Sequence, residues 1–365
     1  MEKGVLRTGF IYFMIVIAWL GVIAGMLYIG QGSHEEDSEI PAHGRVLRLL
    51  VWGDLFDKNY LKAFEAATGC TLQISSYDTN EELIVKLKIS DGRGYDLIAP
   101  SDYAVEILRE DGLLRPLDRS KMPFFKNFNP LLLSQAYDPR NEFSVPYEWE
   151  VYGIAYDKDF FAQRPLDRSW SMIFHDPQGA FRVVVSDDAL ELIRLAAHFL
   201  FGVVEDDLTD EQINQVHALL YRQRDWVEAY TRTNLDYYLV SGYSPLAFAS
   251  SGYVARRRNL AQKLGFFVPR EGGLITIENL AVPIHAGNED LIYEFLKFVM
   301  SPESMSHHFD MMTYFPATMN VQEPSHISSE IRALRTMGAE EFSKLLFVKQ
   351  LMPEERMNHL VVSVK

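Results

Sequence analysis

The 365-residue sequence predicts an α/β protein of two lobes with mainly parallel sheets, and three observations carry that prediction. Short apolar runs alternate with helical patterns along the chain. The length suits one large core or two medium ones, and a content of 48% hydrophobic and 13% aromatic residues leaves nothing that reads as disordered.

The folded part starts near Val46. Val46 to Trp52 is a strand-like run that stops at Gly53-Asp54, and a helix carrying Tyr60, Leu61, Phe64 and Ala67 follows it. Leu72 to Tyr77 reads as a second strand, Asn80 to Lys88 as a helix, Tyr95 to Pro100 as a third strand, and Val105 to Asp111 as a helix. Val151 to Tyr156 and Phe181 to Ser186 are further strands, and Thr209 caps a long amphipathic helix with Gln212 reaching back to it. In α/β sheets ligands gather at the carboxyl ends of strands. That rule singles out Trp52-Gly53-Asp54, Pro100-Ser101-Asp102-Tyr103, Ser186-Asp187-Asp188 and the segment after Leu274.

Ahead of the folded part, Lys3 and Arg7 precede an apolar run from Phe10 to Ile29, and an acidic stretch follows at Glu35 to Glu39. Residues 1–30 therefore read as a signal-anchor or a signal peptide with the chain beyond them outside the membrane, and 31–45 as a polar tether. A formal charge of −15 argues against a nucleic-acid surface, which needs clustered Lys and Arg, and suits a small cationic ligand. The single Cys70 leaves no intramolecular disulfide or thiolate metal cluster and is expected to be buried. No phosphate loop, zinc-protease helix or nucleophile motif is found, so no cofactor, metal or catalytic residue is expected.

The segment Tyr95-Asp96-Leu97-Ile98-Ala99-Pro100-Ser101-Asp102-Tyr103 resembles a signature of the bacterial spermidine/putrescine-binding proteins of ABC transporters. Trp52, Ser76-Tyr77-Asp78-Thr79-Asn80-Glu81, Asp138-Pro139-Arg140-Asn141, Ser186-Asp187-Asp188-Ala189, Gly252-Tyr253-Val254-Ala255-Arg256, Leu280-Ala281-Val282-Pro283 and Tyr314-Phe315-Pro316-Ala317 extend the resemblance in order, from Leu47 to about Asn320. It implies a two-lobed periplasmic binding protein of type II with a ligand cleft between the lobes. Lobe 1 would be 46–153 plus 279–320, and lobe 2 would be 154–278 plus 321–365. The implied function is capture of a polyamine outside the cell and delivery to a membrane permease, without catalysis and as a monomer. Another small cationic or non-amine solute, or a membrane-tethered polyamine sensor, is the alternative.

By the same resemblance Trp52, Ser101, Tyr103, Asp188 and Glu191 match ligand-contacting positions, and Phe248 and Glu278 stand where the family has tryptophan and aspartate. Leu55 and Thr276 replace a tyrosine and a second tryptophan of the spermidine binder, while Asp54 follows the pattern of putrescine-preferring members. Chemically, Asp54, Asp188, Glu191 and Glu278 are carboxylates for ammonium groups, with charge-assisted bonds of roughly 1.5–3 kcal/mol each before desolvation. Trp52, Tyr103 and Phe248 are walls for the methylenes, adding about 0.5–2 kcal/mol per cation–π contact. Read without the resemblance, Asp188 and Glu191 only begin a helix, Trp52 is core and Ser101 a cap. Glu148 and Glu150 reach the cleft or lie on its rim, and stay outside the expected site.

Overall fold

The structure, a computed structural model, describes residues 45–204 and 206–365. The expected apolar segment and tether lie outside the described residues, among which no helix is long and apolar enough to cross a membrane.

β1 (Arg45–Trp52) is apolar almost without alternation because both its faces are covered, which is the pattern of a strand flanked by helices. It pairs in parallel with β2 (Cys70–Tyr77), from Arg45 beside Cys70 to Trp52 beside Tyr77. The connecting helix Lys58–Thr68 is opened by the Asp57 carboxylate, which accepts from the Asn59 N–H, and closed by Gly69 at φ 65°, where a side chain would be strained. Cys70 is buried, as expected. β3 (Leu97–Ile98) adds to β1 in parallel and is far shorter than the expected 95–100, because Asp96 and Ala99 bond to β1 singly on either side.

The remaining strands are β4 (Ser144–Asp157), β5 (Val183–Val185), β6 (Val227–Tyr230), β7 (Leu246–Ser250), β8 (Leu264–Phe267), β9 (Leu274–Ala281), β10 (Phe315–Pro316) and β11 (Leu346–Phe347). One sheet runs in the order β2-β1-β3-β9-β4-β7-β5-β6, with β8 and β10 against β4 and β11 against β9. The expectation of mainly parallel sheets is corrected here. The 14-residue β4 runs antiparallel to every one of β7, β8, β9 and β10, so the sheet is mixed, with parallel pairing among β1, β2 and β3, among β5, β6 and β7, and between β9 and β11.

Two hydrophobic cores flank this sheet. Leu47, Leu50, Val145, Ile277 and Phe295 belong to the first, and Trp170, Val183, Val216, Leu220 and Phe248 to the second. Near the C-terminus the chain changes sides: Ile331, Phe342 and Leu345 join the first core, whereas Leu346, Met357, Leu360 and Val364 join the second. The expected helix at 209 is Asp210–Gln223, opened by a full capping box of Thr209 and Gln212.

The turn into β4 hangs on Asp138, a carboxylate only 2% exposed. It accepts from the backbone N–H groups of Glu142, Phe143 and Ser144 at 3.0, 2.9 and 2.9 Å. Asp138→Ala would leave these donors buried and unpaired, and is expected to destabilise the fold by about 3 kcal/mol, read as a lower urea midpoint.

Candidate functional site

The first group of expected residues meets around Glu278 on β9. Ser101 follows β3 and is the residue before helix Asp102–Glu110, yet its side chain makes no cap bond to that helix. It donates instead to both carboxylate oxygens of Glu278, at 2.7 and 2.9 Å, while its own oxygen accepts from Asn80 Nδ2 at 2.9 Å. A hydroxyl that forgoes a cap loses about 1 kcal/mol of helix stabilisation, which marks the bond to Glu278 as the stronger demand. Trp52, at the end of β1, packs against Tyr77 with the rings tilted by 51° and donates its indole N–H to Glu278 at 2.7 Å. Asn80 also accepts from the Ser101 N–H at 3.2 Å, so it fixes the serine from two sides. Asn80 was not among the expected site residues; its place at the start of helix Asn80–Ser90 was the available signal.

Both donors to Glu278 are neutral. Burial takes the carboxyl out of water and holds its pKa well above the usual range, with the nearby charges of Glu148 and Asp102 pushing the same way. Asp102 itself is 2% exposed, accepts from the N–H groups of Ile277 and Tyr103 at 2.9 and 2.7 Å, and is pushed by burial up to about 7.

The second group lies at the start of helix Ala189–Phe201, which follows β5. Asp188 caps this helix by accepting from the Glu191 N–H at 3.1 Å, so the plain helix-cap reading of Asp188 holds in this geometry. Glu191 is buried, accepts from the Ser186 hydroxyl at 2.5 Å, and is pushed up to about 8, first by burial and then by the Asp188 charge. Tyr103 stands between the groups: its hydroxyl donates to Glu81 at 3.0 Å and its ring lies in the field of Asp188. Tyr103 and Asp188 together border a cavity of about 580 Å³ closed on another side by Phe347.

Two expected residues, Phe248 and Asp54, are placed differently from a simple wall or clamp, and Leu55 stands apart from the site. Phe248 is 2% exposed, stacked on Tyr152 at 5.6 Å and close to Trp170, so it forms the floor of a smaller cavity of about 160 Å³ rather than an open face. Asp54 is exposed on the rim, where its charge acts on Glu148, Arg256 and Tyr314. Leu55 is buried in the core at 2% exposure, facing away from solvent.

Glu148 and Glu150, left out of the expected site, lie beside Glu278 and Thr276. A bulge between Pro146 and Glu148 shifts the β4–β9 register, so that Glu148 lies opposite Glu278, and Glu150 opposite Thr276. Glu148 is hydrogen-bonded to the buried His308, whose pKa burial pushes down to about 3, so that the imidazole is neutral near pH 7. Glu150 is approached closely by the backbone: a Cβ on Gly252 would sit 2.8 Å from its Oε2 and 2.8 Å from the Tyr314 ring. Burial raises both carboxyls, and the Glu150 charge acts on Glu148 and Glu191 alike, which joins the two acidic groups into one field.

Residues 59–333 match the family model of the bacterial extracellular solute-binding proteins. The chain belongs to that family. It is 26% identical to the spermidine/putrescine-binding periplasmic protein of Salmonella typhimurium, over 84% of this chain and 86% of the relative. It is 29% identical to the putrescine/cadaverine-binding protein of Pseudomonas aeruginosa, over 87% and 93%. A spermidine/putrescine ABC transporter structure from Listeria monocytogenes superposes with a TM-score of 0.73 at 25% identity, covering 88% of this chain and 99% of that one.

These raised carboxyls couple the solute-binding protein's stability to pH. In the folded chain Glu191 holds its proton to about 8, against an ordinary 4.5, so between those values the folded state binds more protons than the unfolded one. Stability is therefore expected to fall as pH rises through that window and to level off above it. Glu191→Gln should flatten the slope, by on the order of a few kcal/mol across the window, in urea titrations run at a series of pH values.

Proposed function

We propose that this chain captures a polyamine outside the cell and delivers it to the permease of an ABC importer, closing two lobes over it. Lobe 1 is 46–153 plus 279–320 and lobe 2 is 154–278 plus 321–365, with the sheet strands β4 and β9 passing between them. Residues 1–30 hold the chain at the outer face of the membrane or export it across, and it acts as a monomer without catalysis.

The observation that carries this reading is Glu278. It is a desolvated carboxylate whose bonds come from a hydroxyl and an indole, neither of them charged, with Glu148 beside it on the neighbouring strand. Such a group is costly to ionise in the free protein and gains most from an arriving ammonium. Glu191, beside Asp188, offers a second acidic point, and Trp52 and Tyr103 supply apolar surface between. The ligands for which the Salmonella and Pseudomonas relatives are named, spermidine, putrescine and cadaverine, have this chemistry of amines spaced by methylenes. Thr276, in the place of an aromatic wall, lies beside the Tyr152 hydroxyl and gives a long ligand less surface.

Putrescine and cadaverine are expected to raise the melting temperature of the purified chain, by mass action on the folded state, and spermidine to do so less. Glu278→Gln should weaken diamine binding about 10- to 100-fold, equivalent to about 1.4–3 kcal/mol, and Glu191→Gln should weaken the binding of an amine whose further ammonium reaches that second acidic point. Because an ammonium favours the ionised carboxyls, binding at pH 7 should release protons, seen as a calorimetric enthalpy that changes with the ionisation enthalpy of the buffer. Absence of any shift with every amine tried would refute the reading.

A further inference from the structure

We infer that Arg232 is a built-in competitor for the ligand: its guanidinium occupies the Asp188–Glu191 acidic point in the free protein, so that a ligand ammonium must displace it there, and the cleft favours short diamines over longer polyamines. The inference rests on the amine-binding reading above and names what sets its selectivity.

Arg232 follows β6 by two residues and precedes helix Leu235–Val240. Its Nη1 lies 3.3 Å from Asp188 Oδ2 and 3.9 Å from Glu191 Oε1, and its Nε donates to Asp187 at 2.9 Å. Three carboxylates thus converge on one guanidinium. The same side chain borders the smaller cavity with Tyr152, Phe248, Tyr253 and Tyr314, which puts the cation on the inner side of the acidic group rather than on a remote surface. The two acidic points of the site therefore differ: Glu278 is held by neutral donors, while Asp188 and Glu191 already have a cation.

The arginine is placed to leave as well as to bind. Its side chain is 51% exposed, so its ion pairs are partly screened by water and the released guanidinium can be solvated. Asp187, 45% exposed, anchors it from the outer side and provides a place to retreat to. A ligand that needs only the Glu278 end escapes the exchange. One with a further ammonium at Asp188 and Glu191 gains a charge-assisted bond only by breaking another and by bringing two cations together. Selectivity is then a difference created by a repulsive element as much as by attractive ones.

Calorimetry with putrescine and spermidine on the wild-type chain, Arg232→Gln and Arg232→Lys tests this, with melting temperatures to verify folding. The expected result is spermidine binding at least 10-fold tighter in Arg232→Gln, a smaller preference for putrescine, and near wild-type selectivity in Arg232→Lys, which keeps the charge. If the wild type binds amines and Arg232→Gln binds spermidine equally or more weakly, Arg232 is a ligand contact or a surface ion pair and the inference falls while the function stands. If neither folded protein binds any amine, the polyamine reading falls and takes this inference with it.

Discussion

The antiparallel ladder between β4 and β9 runs from Ser144 opposite Ala281 to Tyr152 opposite Leu274, and most of the site is arranged by it. The two strands pass between the hydrophobic cores, contributing Val145 and Ile277 to the first and Ile154 and Leu274 to the second. Its bulge is the decisive detail. Because side chains alternate with a period of two, an in-register ladder would set Tyr147 opposite Glu278; the extra residue sets Glu148 there instead, and carries Glu150 and Tyr152 onto the same face. Tyr147 turns to the core, edge-on to Phe56 at 5.3 Å.

A cluster of carboxylates within one field is expensive for a folded protein, since each buried charge loses hydration and repels its neighbours. The chain meets that cost by distributing protons and dipoles. Glu148 is bonded to a neutral His308, Glu278 receives Ser101 and Trp52, Glu191 receives Ser186, and Asp102 is fastened to backbone N–H groups of Ile277 and Tyr103. Neutral donors satisfy oxygen lone pairs without cancelling charge. The arrangement therefore remains attractive to a cation while being tolerable without one, a balance that full neutralisation by lysine or arginine would remove. Two cations among the described residues stand in this field: Arg232, half exposed beside Asp188, and Arg256, whose charge acts on Glu148 and Glu150.

Much of the fold was legible because the local signals were strong and agreed with the tertiary outcome. β1, β2 and the helices at 58–68, 80–90 and 210–223 follow from apolar runs, caps and turn glycines whose physics is local. Sheet direction was not local: an apolar run reads the same whether its neighbours run with it or against it, so the antiparallel role of β4 was missed. Phe248 illustrates the same limit at the site. Its aromatic character was visible, but whether the ring would face the cleft or lie under Tyr152 depends on packing from the neighbouring strand β4 and from Trp170.

By itself the sequence determined the α/β class, the acidic character and the strand-end positions of Trp52, Ser101, Tyr103 and Asp188, because these rest on periodicity, composition and short-range order. Only the tertiary structure decided that Ser101 abandons its cap for Glu278, that a bulge brings Glu148 across from it, and that Arg232 sits on Asp188. Those three depend on residues between 44 and 177 positions apart in the chain, where register and packing, and not local preference, fix which groups meet.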